Sequence, residues 1–596
     1  MPTKSVLTGL ATTALGGLAL MTACHGFAQN TAAAAQQSAP AADTCNPVET
    51  GITLPPGFCA TVFADGIGHA RHMAMTPDGT LYVNTWSGRY YRKFPPVTGA
   101  FLVALKDTSG NGHADQVLRF GPPAASGNAG GDGIALWHGA LYVESNDRIV
   151  RYPVAPGQME PTGPGETVLS GMPLDGEHPM HPFAIDAAGN LLVNMGALTN
   201  SCQEKNRTAA STGFDPCPIL ESHAGIRHYR ADRLNQVFSP AGRWATGIRN
   251  TGGISIDAAG RIYAVQHGRD MLGQNWGNLF TTAQGVELPS EELVMPAAGD
   301  DFGWPYCYHD PVAGKLMLAP EYGGNGHEAG RCATKQEPVA AFPAHWAPND
   351  VLAWHPGLFP ASYDNGVFIA FHGSWNRSPA PQAGYQVVFQ PMKDGKSAGH
   401  WIRFADGFAG GYREPGRAAH RPAGLIQGSD GALYIADDVG GRIWRVTYRG
   451  DHAAALAAAP EAALTPTAVT PATLTPTAPA VAANGGAAGG ATLPPGFTAA
   501  DIDIGRRIFV GEIKGGTCSG CHGSDGHGSS AGPSLTGPTY LWSDGGIAGM
   551  ATTITKGVAV PKNGGGPMPA KGGVDLTADD VNKVAAYVWT LGHHSS

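Results

Sequence analysis

Near the C-terminus, Cys518-Ser519-Gly520-Cys521-His522 sets two thiols three positions apart, with an imidazole directly after the second. Thiols spaced in this C-x-x-C-H way can add to the two vinyl groups of a haem. The histidine then meets the iron from one side, which is the attachment pattern of a c-type haem. The iron's other face calls for a soft or imidazole ligand. Met568, 46 residues on (568 − 522), offers a thioether between Pro567 and Pro569, each of which fixes its own φ. Met/His ligation raises a haem's potential, which suits an electron acceptor. A zinc ribbon would need a second C-x-x-C, and the sequence has none. A thioredoxin-like pair would have no use for His522. The rest of the chain is therefore expected to supply electrons.

At 596 residues the chain is too long for one ordinary core, and two or three domains are expected. With 85 Gly, 47 Pro and 14% charged residues, the composition favours strands and turns over long helices. A net charge of −9 without basic runs argues against nucleic acid as a partner. Lys4, an apolar run from Val6 to Met21 and small residues after it read as a secretory signal peptide over 1–28. The run is too short for a lasting membrane span. Two processing routes stay open: cleavage after Gly26-Phe27-Ala28, or lipoprotein processing at Met21-Thr22-Ala23-Cys24, with a lipid anchor on Cys24. Both put the mature chain in the periplasm, where haem attachment and disulfides can occur. Setting aside Cys24 and the haem pair leaves six cysteines of nine, open to fifteen connectivities. Pairing by nearness gives Cys45 with Cys59, Cys202 with Cys217 and Cys307 with Cys332, each closing a polar loop.

The elements that must carry this chemistry follow from pattern. Residues 29–50 read as a flexible lead-in. Over 51–449 a turn followed by a Leu-Tyr-Val-like triplet recurs six times, at Leu81-Tyr82-Val83, Leu141-Tyr142-Val143, Leu191-Leu192-Val193, Ile262-Tyr263-Ala264, Val367-Phe368-Ile369 and Leu433-Tyr434-Ile435. Six hairpin turns, each feeding an inner strand, predict a six-bladed β-propeller, with an irregular β-sandwich as the alternative. The widest spacing, 105 residues (367 − 262), predicts the largest excursion, around Glu291 to Cys332. Gly57–Phe63 is expected to close the ring by pairing with the blade that ends near Arg442–Val446. Residues 450–493, almost all Ala, Pro, Thr and Gly, read as a linker. Residues 494–596 then form a small all-α cytochrome c domain of class I. Its end helices run over Ala500–Val510 and Asp579–Leu591, with Val581, Val584 and Val588 on one face and Thr577 as N-cap. The fold class is mainly β: a six-bladed propeller followed by the cytochrome c domain.

Four stretches give the propeller a redox task. Gly247-Ile248-Arg249-Asn250, Phe302-Gly303-Trp304-Pro305, His372-Gly373-Ser374-Trp375-Asn376-Arg377 and Arg421-Pro422-Ala423-Gly424-Leu425 resemble the pyrroloquinoline quinone (PQQ) dependent glucose/sorbosone dehydrogenase family. Leu54 to Tyr448 is similar to its L-sorbosone dehydrogenases fused to cytochrome c. The resemblance implies oxidation of an aldose or sugar aldehyde by hydride transfer to PQQ, with electrons passed to the haem and on to a downstream acceptor. It makes His178 the general base, oriented by Glu177, with His181 the competing candidate. Arg249 would stabilise the developing quinone oxyanion, with Asn250 beside it. Arg421 would bind a carboxylate of PQQ, and Arg377 is the looser match for a second. The family's Ca²⁺ would sit on the backbone carbonyls of Gly268 and Arg269, where relatives can carry Pro at the second position. Near Gly130-Gly131-Asp132-Gly133 the family's amide contact to the quinone has no evident counterpart. The rival readings are a lactonase-type propeller and a non-catalytic sugar-binding propeller, each with an electron-transfer cytochrome tail.

Overall fold

The computed structural model describes residues 47–85, 99–123, 131–378, 380–459 and 493–593, apart from 512, 515–517, 524, 529–531, 538, 559–561 and 563–567. The expected signal segment with Cys24, the lead-in with Cys45, most of the expected linker, and Pro567 lie outside the described residues. Among those described, no helix is long and apolar enough to cross a membrane.

Six sheets, antiparallel apart from one short parallel pair of Gln236–Val237 with Glu166–Ser170, carry the first part of the chain. Their first strands are Ala70–Met75, Ile134–Trp137, Phe183–Ile185, Thr251–Ile256, Pro348–Ala353 and Pro422–Gln427, which open blades one to six. Each first strand touches the next in a closed ring, and the sixth returns to the first. This ring surrounds the axis, so backbones crowd there. A β-carbon on Gly424 would collide with the Arg71 carbonyl, and one on Gly252 with the Pro348 carbonyl. All six expected triplets fall in the second strand of their blades, one layer out from the axis. The turn between first and second strands is held by an aspartate in blades three, four and six. The Asp186, Asp257 and Asp430 carboxylates each accept a backbone N–H from the first residue of the second strand or the one just before it.

Alternation along the strands leaves one face of each sheet for either neighbour. Six apolar clusters result, one between each pair of adjacent blades. The one between blades five and six is the most aromatic, with Trp354, Phe359, Phe368, Phe389 and Phe404 in a run of edge, tilted and stacked contacts. Ring closure is as expected from the sequence. Phe58–Ala64 pairs antiparallel with Ile443–Tyr448 and supplies the outer strand of blade six.

The wide spacing in blade four holds an added hairpin, Cys307–Asp310 with Lys315–Leu318, before Ala340–Phe342 completes the blade. Disulfides join Cys307 to Cys332 and Cys202 to Cys217. Cys59 is also disulfide-bonded, while its expected partner Cys45 lies outside the described residues.

The C-terminal region is helical: Ala499–Phe509, Cys518–His522, Ile547–Lys556 and Ala578–Gly592. Thr498 and Thr577 each cap a helix through a reciprocal capping box, with Asp501 and Asp580 respectively. The two end helices cross at Gly505, where a β-carbon would collide with the Lys583 carbonyl. Val581, Val584 and Val588 face the buried cluster together with Ile508 and Phe509.

Removing the Cys307–Cys332 bridge by paired Ala substitutions should lower propeller stability by about 2–4 kcal/mol. Denaturant unfolding followed by propeller tryptophan fluorescence measures the loss, and the unfolding of the helical region should not move.

Candidate functional site

The loops at one end of blades three, four and five converge on a buried carboxylate, Asp270. Its Oδ2 accepts from Arg207 Nη2 at 2.8 Å and from Arg249 Nη2 at 3.2 Å, and its Oδ1 accepts from Asn376 Nδ2 at 2.8 Å. Asn200 pairs with the backbone of Asp270 in both directions, accepting its N–H and donating to its carbonyl, each at 2.8 Å. Asn200 also takes Arg249 Nη2 on Oδ1 and Arg249 Nε on its carbonyl, both at 3.0 Å. Two cations around Asp270 hold its carboxyl far below the usual range against the opposing effect of burial. Arg207 and Asn200 were not picked out by sequence reasoning. Neither stands in a recognisable motif; the signal was the polar density of the Cys202–Cys217 loop.

His178 sits half-buried beside this array. Its Nδ1 lies 2.9 Å from the Ala197 carbonyl, which can only accept, so the hydrogen sits on Nδ1 and Nε2 carries the lone pair. Burial, with Arg249 second, pushes its pKa down to about 3, so the ring is neutral near neutral pH. His181 differs. It is 1% exposed, with Nδ1 on Glu144 Oε1 at 3.0 Å and Nε2 on the Pro173 carbonyl at 2.9 Å. Both its nitrogens are committed to acceptors, so it is a strut of the loop. The expected role of Glu177 needs correction. Its carboxylate accepts from Asn206 Nδ2, Arg207 Nε and Arg207 Nη2 at 2.7–2.8 Å, and the tautomer of His178 is set by Ala197 instead. Glu177 lies 3.9 Å from Arg249 Nη2, so it acts as a counter-charge. Burial works against its ionisation, yet the guanidiniums hold its pKa down to about 2.

Arg249 is 3% exposed, and besides Asn200 and Asp270 it donates through Nη1 to the Gly268 carbonyl at 3.1 Å. Among the described residues, one hydrogen of that Nη1 meets no acceptor. Asn250 lies against His267, with Nδ2 and Nδ1 3.4 Å apart. Arg421 is held by Nε on the His372 carbonyl and Nη2 on the Gly373 carbonyl, at 3.0 and 2.8 Å. Its Nη1 meets no acceptor among the described residues. Cations held by their backs, with N–H groups left over, fit an anionic cofactor carrying several carboxylates. Two other expected positions carry competing contacts. Arg377 donates through Nη1 to the Val286 and Ala344 carbonyls and through Nη2 to Glu287, so it ties loops together, and among the described residues its Nε meets no acceptor. At the expected Ca²⁺ position, the Gly268 carbonyl already carries a guanidinium, which opposes a second cation, and the Arg269 side chain is paired with Glu321. Among the described residues no three His, Cys, Asp or Glu side chains converge as a metal site.

In the helical region, a largely apolar cavity is lined by Cys518, Cys521, His522 and Met568, with Phe509, Met550, Ile554 and Val588 among its walls. His522 Nδ1 lies 2.8 Å from the Pro533 carbonyl. The hydrogen is thereby fixed on Nδ1 and Nε2 is the nitrogen able to meet iron, a partner pattern common for ligating histidines. Met568, which also lines the cavity, is held by reciprocal backbone hydrogen bonds with Val558, at 2.8 and 2.9 Å. Neither thiol forms a disulfide, and burial pushes Cys518 up to about 12 and Cys521 up to about 11. Two thiols, an oriented imidazole and a thioether around one apolar cavity fit a covalent haem.

Comparison with known proteins agrees with both regions. Residues 52–449 match the family described as TrAA12-like, and residues 500–588 match the family described as cytochrome C oxidase, cbb3-type, subunit III. An uncharacterized protein of Borreliella burgdorferi is 30% identical over 210 residues, covering 34% of this chain and 48% of that protein. A pyrroloquinoline quinone-dependent pyranose dehydrogenase of Coprinopsis cinerea is 26% identical over 282 residues, covering 39% of this chain and 36% of that protein. The chain thus spans about half or less of the length of these curated relatives. Among solved structures, the holo form of the pyranose dehydrogenase PQQ domain from Coprinopsis cinerea superposes with a TM-score of 0.52 at 20% identity, over 66% of this chain and 97% of that one. That likeness is one of fold.

Met568→Ala should leave haem covalently attached and lower its midpoint potential, because only the thioether ligand is lost. A redox titration giving the wild-type potential would mean that another residue is the distal ligand.

Proposed function

We propose that this chain, which belongs to the TrAA12-like family of PQQ-dependent sugar dehydrogenases, oxidises an aldose or a sugar-derived aldehyde such as sorbosone and passes the electrons to haem c in its C-terminal domain. The observation that carries the reading is the setting of His178. Its Nδ1 hydrogen is committed to Ala197, and burial beside Arg249 keeps the ring neutral. Bound PQQ would supply the quinone carbon that accepts a hydride. The side chains do the rest. His178 Nε2 takes the proton of the substrate hydroxyl, or of an aldehyde hydrate, as the C–H bond breaks. Arg249, fixed at three nitrogens, offers its remaining N–H to the oxygen on which negative charge develops, with no reorganisation at that moment. Arg421 offers Nη1 to a cofactor carboxylate, and Asn250 completes the wall beside Arg249. At the far end of the route, Cys518 and Cys521 would hold the haem and His522 and Met568 its iron.

The same reading takes 51–449 as the dehydrogenase domain and 494–596 as the cytochrome domain. The leader sequence supports a periplasmic location, with a downstream respiratory acceptor as electron partner. No Ca²⁺ at Gly268 and Arg269 is included.

His178→Gln keeps most of the side-chain volume and removes the base. In protein reconstituted with PQQ, sugar-dependent dye reduction should fall by about 10²–10⁴-fold with cofactor still bound. His181→Gln should act on stability far more than on turnover. Because the His178 pKa lies near 3, the base is unprotonated above that value. The pH profile of kcat/KM should therefore lack an acid limb near the ordinary histidine value of about 6.5. Near-normal turnover of His178→Gln would remove His178 from the role, while a limb at that pH would mean that its ring is not held neutral by its surroundings.

A further inference from the structure

Both walls of the haem cavity touch the propeller, and they touch it beside Asp270. On one side Gly520, between the two haem-motif cysteines, is pressed so close to the backbone of Trp375 that a β-carbon would collide with its carbonyl oxygen. On the other, Gly573, in the loop after Met568, leaves no room for a β-carbon against Met271 Cε. Trp375 precedes Asn376 and Met271 follows Asp270, so each contact lies one residue from the hydrogen bond joining those two side chains. Met271 Sδ accepts from Arg207 Nη1 at 3.6 Å, and the Arg207 guanidinium carbon stands 5.6 Å from the centre of the Trp375 ring. Two further contacts hold the seat. Ser378 Oγ donates to the Val510 carbonyl at 2.7 Å, and Arg417 faces Asp525 at 3.4 Å.

We propose that the haem-attachment turn is seated on the propeller at Trp375, and that the Trp375 indole and the Arg207 guanidinium form the bridge by which electrons leave the Arg249–Asp270 site for the haem. This rests on the dehydrogenase reading above. The geometry gives each part a reason. Glycine at 520 lets the helix bearing both thiols lie on the Trp375 backbone with nothing between. Arg207 spans from Asp270 to the indole, so one run of touching groups leads from Arg249 to the haem motif. Each transfer moves one electron, taking Fe(III) to Fe(II) with no bond made or broken. An external one-electron acceptor, such as ferricyanide or a soluble cytochrome, must reoxidise the iron before the substrate's second electron follows.

The test uses full-length protein loaded with PQQ and haem. Gly520→Val should unseat the haem domain, and Ser378→Asp should do so from the propeller side, where haem attachment is untouched. In both, sugar-driven haem reduction in stopped flow should fall by about tenfold or more, since a tether alone supplies only a modest effective concentration. Small-dye reduction at the propeller should stay as in the wild type in both, and the haem midpoint potential should stay so in Ser378→Asp, while the radius of gyration from solution scattering rises. Trp375→Leu should slow haem reduction with the radius unchanged. If Ser378→Asp and Trp375→Leu both reduce their haem at the wild-type rate, the bridge is overturned while the dehydrogenase reading stands. If the wild-type holoprotein reduces neither dye nor haem with any sugar, the dehydrogenase reading fails and takes the bridge with it.

Discussion

Two guanidiniums, Arg207 and Arg249, share the carboxylate of Asp270, and the loops at one end of blades three to five are built around that sharing. A buried cation is costly unless it is paired and its hydrogen bonds are met. Glu177 supplies the second negative charge, so two carboxylates face two cations. The sharing is uneven. Arg207 touches both carboxylates at 2.7 and 2.8 Å, and its pKa is raised well above the ordinary arginine value in spite of burial. Arg249 has Asp270 at 3.2 Å and Glu177 only at 3.9 Å, with Arg207 as a neighbour, and burial leaves its pKa lowered. Arg249 is thus the less compensated charge of the two. A developing anion would find its strongest partner there, while Arg207 is locked in place.

That array is buttressed from behind by the two disulfide loops, which clasp each other. Glu321, carried by the blade-four excursion, accepts from Ser201 Oγ and Trp276 Nε1 at 3.2 and 3.0 Å and pairs with Arg269. Tyr306 OH accepts the Cys217 N–H at 2.8 Å, and Tyr322 OH donates to the Ser201 carbonyl at 3.2 Å. Trp304 donates to the carbonyl of Asn200 at 3.1 Å. The long excursion is therefore a second layer under Asn200, and Asn200 holds both Asp270 and Arg249.

The parts of the molecule that could be read from sequence are those whose physics is local. The C-x-x-C-H run, the threonine caps, the turn-and-triplet pattern and the β-type run at Phe58 each depend on neighbours a few residues away. Even there, periodicity could not tell which strand of a hairpin lines the axis; the triplets lie one layer out because glycines such as Gly252 and Gly424 are needed where backbones crowd. The site was legible as residue types but less so as roles. Arg249, Arg421 and His178 stand where they could act as expected, whereas Glu177 and two of the three nitrogens of Arg377 are engaged by partners from distant loops. Which N–H groups an arginine has to spare depends on what the fold brings to it, Nη1 for Arg421 and Nε for Arg377. Arg207 and Asn200 matter only because the Cys202–Cys217 loop meets Asp270, a meeting that no local pattern records.

The pairing of Phe58–Ala64 with Ile443–Tyr448 makes the dehydrogenase fold close on itself late in biosynthesis. The sixth blade lacks its outer strand until nearly the whole propeller has been made, and such a non-local pairing must be reached against loop-closure entropy. The helical region comes after the clasp and supplies no strand to it. The ring can therefore be completed without any contribution from the helical region, so a fault in that region's maturation would leave a folded propeller instead of an unfolded chain.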